Sequence, residues 1–162
     1  MKMTEKSTGT DVVSATVIAG GGVKESAGAS GVYTVVCIGP DGVEKWRDTF
    51  PNLVVNVGLQ LMNSTFFTGS AYTAAWYLGL VTGPGSGVTY AASDTLASKS
   101  WTEFTNYTGN RKLVTFGTAT TADPSVISNS ASQAAYTISG AGGTVAGAFL
   151  CTVSTGTSGT LF

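Results

Sequence analysis

The chain has 162 residues, enough for one domain that buries about two-thirds of the surface its unfolded chain exposes, so it needs no disulfide or metal staple. Only 10% of its residues are charged, against about a quarter in an ordinary domain, and eight basic residues set against nine acidic ones leave a net charge of −1 without any histidine. Such a balance supplies no basic field for phosphates, which argues against nucleic acid as a partner, and it denies a nucleophile its commonest base.

Residues 1–30 are low in complexity, running KSTGT and then VVSATVIAGGGVKESAGASG. Ordering so glycine-rich a stretch costs entropy that few apolar groups offset. A flexible N-terminal arm is predicted, ordered against a neighbour through Val12, Val13, Val17 and Ile18. From Gly31 the pattern changes. VYTVVCIG is β-branched and aromatic, Pro40-Asp41-Gly42 is a turn, and VEKWRDTF alternates after it, so a hairpin is predicted over 32–50. Alternation puts Glu44, Trp46, Asp48 and Phe50 on one face and Lys45, Arg47 and Thr49 on the other. Charge on both faces suits an edge or an interface, and Lys45, Trp46 and Arg47 become candidate partner contacts.

Val54, Val57, Gly58, Leu61 and Met62, with Phe66 a turn later, recur at helical spacing, predicting one short helix near 57–66 capped by Asn52 or Asn56. A turn at Gly69–Ser70 leads into AAWYLGLV, which reads as a central strand buried on both faces. Thr82 to Thr89 is a glycine loop whose spacing, with no helix after it, fits a surface loop rather than a phosphate cradle. Tyr90 to Phe104 reads as an irregular connection with a helical turn capped by Asp94, Trp101 and Phe104 folding back over the core. Three further strands are predicted at 111–121, 131–139 and 144–153. Together these segments predict an all-β, antiparallel jelly-roll-like β-sandwich with one short helix, spanning 31–162. Its expected interior holds Leu61, Trp76, Leu78, Leu80, Phe116, Ile138 and Phe149.

Chemistry is hard to find. No serine or cysteine sits in a nucleophile elbow, no ligand spacing suits a metal, and Asp94 with Glu103 is too weak a pair to predict glycoside hydrolysis, so neither catalysis nor a cofactor is expected. Cys37 and Cys151 each sit in an apolar run and read as buried free thiols. MKMTEKSTGTD lacks the apolar stretch of a signal peptide, and the longest uncharged run, 71–81, is too short to span a bilayer. The expected setting is a reducing cytoplasm or its bacterial equivalent, with no membrane partner. Asn63-Ser-Thr and Asn106-Tyr-Thr match the glycosylation pattern by chance. Of the three tryptophans, Trp76 reads as core, Trp46 is ambiguous, and Trp101 is the one candidate for stacking on a sugar. Mean hydropathy is +0.23, so part of the surface should be covered inside an assembly.

The order of EKWRDTFPNLVVNVGLQLM, AYTAAWYLGLV, TYAASDTLASKSWTEF and GGTVAGAFLCTVSTGTSGTLF resembles the capsid cement (decoration) proteins of short-tailed bacteriophages such as those infecting Bordetella, over roughly 31–162. The resemblance implies a jelly-roll-like virion protein, made in the bacterial host cytoplasm, that sits on the outer capsid surface and ties neighbouring major capsid subunits together; a homo-oligomer, dimer or trimer, is expected beside it. That family often continues with another turn and strand, so the stop at Leu161–Phe162 suggests either a missing final strand or a departure from the pattern. The alternative is a receptor- or glycan-binding module of a phage tail or fibre, which copy number per particle would separate from a cement protein.

Overall fold

A computed structural model describes residues 29–71, 75–84, 87–122 and 125–162. The predicted arm contacts Val12, Val13, Val17 and Ile18 lie outside them. The described chain is antiparallel β with one helix. Its elements are β1 (Gly31–Ile38), β2 (Glu44–Asn52), α1 (Asn56–Thr68), β3 (Trp76–Thr82), β4 (Glu103–Phe104), β5 (Lys112–Val114) and β6 (Val145–Cys151).

β1 and β2 form the hairpin that the turn chemistry predicts. Gly42 takes a φ of 75°, which a β-carbon would oppose, and Asp41 accepts from the Val43 N–H at 3.1 Å. One detail differs from strict alternation. The register runs Cys37↔Trp46 and then Ile38↔Glu44, so Lys45 is an extra residue and Glu44 crosses to the Arg47 face. There it pairs with the Arg47 guanidinium at 2.8 and 3.2 Å. Tyr33, Asp48, Phe50 and Asn52 share the opposite face, the Tyr33 and Phe50 rings 5.7 Å apart.

The second sheet is organised on β3, the central strand that its uncharged sequence predicts. β6 runs along one edge of it, and β4 and β5 share the other. The pairings Leu80↔Phe104 and Leu78↔Lys112 show that β4 and β5 are halves of one edge strand, interrupted by an excursion over 105–111. On the outer edge of β6, Cys151 bridges Leu161 and the Phe162 N–H donates to the Leu150 carbonyl at 2.9 Å. Both faces of the sheet are covered. Val81, Phe149 and Cys151 pack with Val55, Leu96, Trp101 and Leu161 on one side, and Leu80, Phe104 and Tyr107 pack together on the other. Trp101 and Phe104 thus fold over the core as predicted.

Several local expectations are corrected. The N-cap position of α1 is Val55, whose side chain makes no cap, and neither Asn52 nor Asn56 fills that role. Instead the Asn56 N–H donates to the Ala92 carbonyl at 2.8 Å, so the neighbouring loop satisfies the helix start. No helical turn follows Asp94, whose carboxylate is turned inward. The strand predicted at 111–121 is only the three residues of β5, and 131–139 is irregular apart from one bridge, Tyr107↔Ile138. In both segments alternation was present, but β5 pairs with β3 at only three positions and 131–139 meets a neighbour only at Ile138. The core shrinks accordingly. Leu80 and Phe149 are buried, Leu61, Trp76, Leu78 and Phe116 are half-buried, and Ile138 is 50% exposed. Cys151 is fully buried and Cys37 only half-buried, both as free thiols.

Candidate functional site

The cavity of interest lies where the hairpin meets the second sheet. Period-two alternation places Tyr33, Asp48, Phe50 and Asn52 on the hairpin face that lines it. Opposite stand Tyr90, Asp94 and Trp101 from the loop before β4, with Leu161 and Phe162 from the chain end. The space between them is about 250 Å³. Its walls are aromatic, its charged side chains are two aspartates, and no lysine or arginine lines it.

Each polar group has a definite setting. Asp94 is buried and its Oδ2 accepts from the Ala91 N–H at 3.0 Å and from the Trp101 indole Nε1–H at 3.1 Å. This bond orients the Trp101 ring, which packs 4.8 Å from Phe149 and carries the Lys99 ammonium 5.2 Å from its centre. Trp101 is 7% exposed and belongs to the core, so the expectation of sugar stacking on an open ring is overturned. Asp48 is exposed and accepts from the neighbouring Thr49 N–H at 2.8 Å. Among the described residues neither aspartate forms an ion pair. The Tyr33 hydroxyl is buried with no hydrogen-bond partner, and burial pushes its pKa well above the usual phenol range.

Comparison with protein-family models, curated proteins and solved structures finds no match.

The predicted hairpin contacts are exposed. Lys45 is paired with Asp41 at 2.6 Å and Arg47 with Glu44, so both charges are answered within the hairpin. Trp46, between them in β2, is 46% exposed. The structure brings these three together on one ribbon but places them away from the cavity lining. What sequence reasoning missed is a second apolar surface. Helix α1 carries no charged side chain, and at its C-terminal end Phe66 and Phe67 are 86% and 80% exposed, on a helix that also exposes Leu59 and Met62. Met62 and Phe66 were read as part of the helix's apolar face, and that part of the face is exposed rather than packed. Among the described residues no group of three metal-ligating side chains occurs, and no helix is long and apolar enough to cross a membrane.

Proposed function

We propose that the chain is a structural virion protein that cements neighbouring major capsid subunits from the outer surface of a phage shell. The observation that carries this reading is exposed apolar area without accompanying chemistry. Trp46, Val32 and Ile38 stand out on the hairpin, and Phe66 and Phe67 at the end of an uncharged helix. Isolated exposed apolar residues are ordinary, but two such groups on a chain this poor in charge suit a protein whose surface is covered by others. Weak contacts suffice for the task, because many copies on one lattice raise effective concentration. The edges of the two-stranded ribbon, open among the described residues, suit strand addition by a capsid segment or a neighbouring copy, in a dimer or trimer. The jelly-roll-like sandwich belongs to the same proposal, supported by two antiparallel sheets that face each other across the cavity. No catalysis is assigned.

The test is genetic and physical. Particles lacking the protein should assemble, adsorb to cells normally, and burst at lower temperature than complete ones. Trp46→Ala should lower occupancy on the shell while the isolated protein melts as the parent does. Particles that keep full heat resistance without the protein, yet fail to attach, would instead make it a receptor- or glycan-binding tail module.

A further inference from the structure

We propose that residues 12–18, in the chain's own N-terminal arm, add a strand to the outer edge of β6 and fill the cleft between the hairpin and the second sheet. The assignment stands on that edge and does not rest on the proposed function. Two hydrogen bonds fix which backbone groups of β6 face outward. The Thr82 N–H donates to the Thr102 carbonyl at 2.9 Å, on the β4 side of β3. By alternation, the β3 groups that face β6 belong to Tyr77, Gly79 and Val81, opposite Cys151, Phe149 and Gly147. On the outer edge, the Leu150 carbonyl accepts from the Phe162 N–H at 2.9 Å. Both observations turn the Ala148 N–H and C=O to that outer edge, one step past the pairing with Phe162, where no described residue bonds to them. Ala148 also lines the cleft, although its methyl packs with Leu80, Phe104 and Tyr107 on the other face of the sheet. What it shows to the cleft is main chain. Partly buried amides and carbonyls are seldom left without partners, and a strand laid along β6 beyond Phe162 supplies them.

The walls of the cleft select the occupant. Its charged side chains are Asp48 and Asp94, so a strand carrying carboxylates is repelled and an uncharged one is not. Between Asp11 and Lys24 the arm bears no charge, and residues 12–18 are its β-branched part. Val13, Ala15 and Val17 share one face of such a strand, and Ser14 and Thr16 share the other. The first face suits the aromatic wall at Tyr90, and the small side chain of Ala146 lets a backbone approach. The tether also fits. Gly31 begins β1 opposite Asn52, itself a lining residue, so the arm leaves the hairpin at the rim of the cleft. Residues 19–30 span up to roughly 40 Å when extended, ample to reach β6. A tether of that length gives an effective concentration on the order of millimolar, so the chain's own arm outcompetes that of a second copy.

NMR on the full chain tests it, by cross-strand NOEs and amide hydrogen exchange. In the parent protein the Ala148 amide should show NOEs to a residue within 12–18 and exchange at least about a hundredfold slower than an open amide. Val17→Asp should release the segment, abolishing those NOEs and the slowing at Ala148, while the Phe149 amide, held by β3, stays protected. Ser14→Asp, on the polar face, should change neither. Exchange of 12–18 and Ala148 at open-chain rates overturns the proposal, as does slow exchange at Ala148 that survives Val17→Asp. Protection that fades on dilution assigns the strand to a second copy and overturns docking within one chain. Particles separate this assignment from the proposed function. The expected NOEs in a protein that never associates with capsids refute the cement function alone, whereas an arm that orders only on capsids refutes the docking alone.

Discussion

Removing the Glu103 carboxylate would leave the Arg111 guanidinium buried without a counter-ion. Arg111 donates to both Glu103 oxygens at 2.7 and 2.8 Å, to the Val153 carbonyl at 3.2 Å, and lies 5.2 Å from the Phe149 ring centre. Its side chain is 4% exposed and that of Glu103 20%. An isolated buried charge is far costlier than a buried pair, so Glu103→Gln should destabilise by about 3–5 kcal/mol. Adding Arg111→Met to that variant should recover much of the loss, because the orphaned charge goes with it. Urea melts of the two single variants and the double decide the matter. If Glu103→Gln unfolds with the parent, water screens the pair after all. Nothing in the sequence linked these residues, which sit eight positions apart in a segment read as irregular connection and strand. Charge pairs across an excursion become visible only once both halves of the edge strand are placed.

At the scale of elements, Gly58 decides how closely α1 approaches the chain end. A β-carbon there would stand 3.0 Å from the Phe162 Cα and 3.2 Å from the Leu161 carbonyl oxygen, both backbone atoms that cannot swing aside. Gly58→Val should push the helix off the 160–162 segment and cost about 1–3 kcal/mol by overpacking. A lower melting temperature with a weakened near-ultraviolet signal from Trp76, whose ring meets Phe162 edge-on at 5.3 Å, is the expected outcome. Unchanged melting would mean that the helix is not held there. Elements defined by local chemistry were legible: the Pro40-Asp41-Gly42 hairpin, the helix, and the charge-free β3. Elements that depend on a vacant sheet edge were not, as Phe116 and Ile138 show. The candidate site was the least legible part. Tyr33, Asp48, Tyr90, Asp94 and Trp101 come from separate segments, and their residue types alone say nothing of proximity.

For the whole molecule, the absence of histidine and the burial of tyrosines set the pH response. Burial raises the pKa of Tyr33, Tyr90, Tyr107 and Tyr136, and likewise of the Cys151 thiol. A folded-state pKa above the unfolded one means that stability is fully present below the unfolded value and is lost as pH rises through the folded one. With unfolded values of about 8.5 for the thiol and about 10 for the phenols, stability should be flat near neutrality and fall progressively above about pH 9. Thermal melts across that range check it. A melting temperature that rose in alkali would contradict the burial of these hydroxyls.

The interrupted strand β4–β5 also bears on solubility. A sheet grows into a fibre when a long, flat edge offers an unbroken row of backbone donors and acceptors. Here one edge is split into pieces of two and three residues with the 105–111 excursion between them, and on the other residues 160–162 pair with the end of β6 at Leu150–Thr152. The split edge cannot template a further strand over any length. The hairpin, by contrast, keeps two long flanks unpaired among the described residues, eight and nine residues in extent. Chain association by backbone pairing is thereby favoured at the ribbon, and a protein with so little charge to keep its copies apart denies polymerisation one edge of its main sheet.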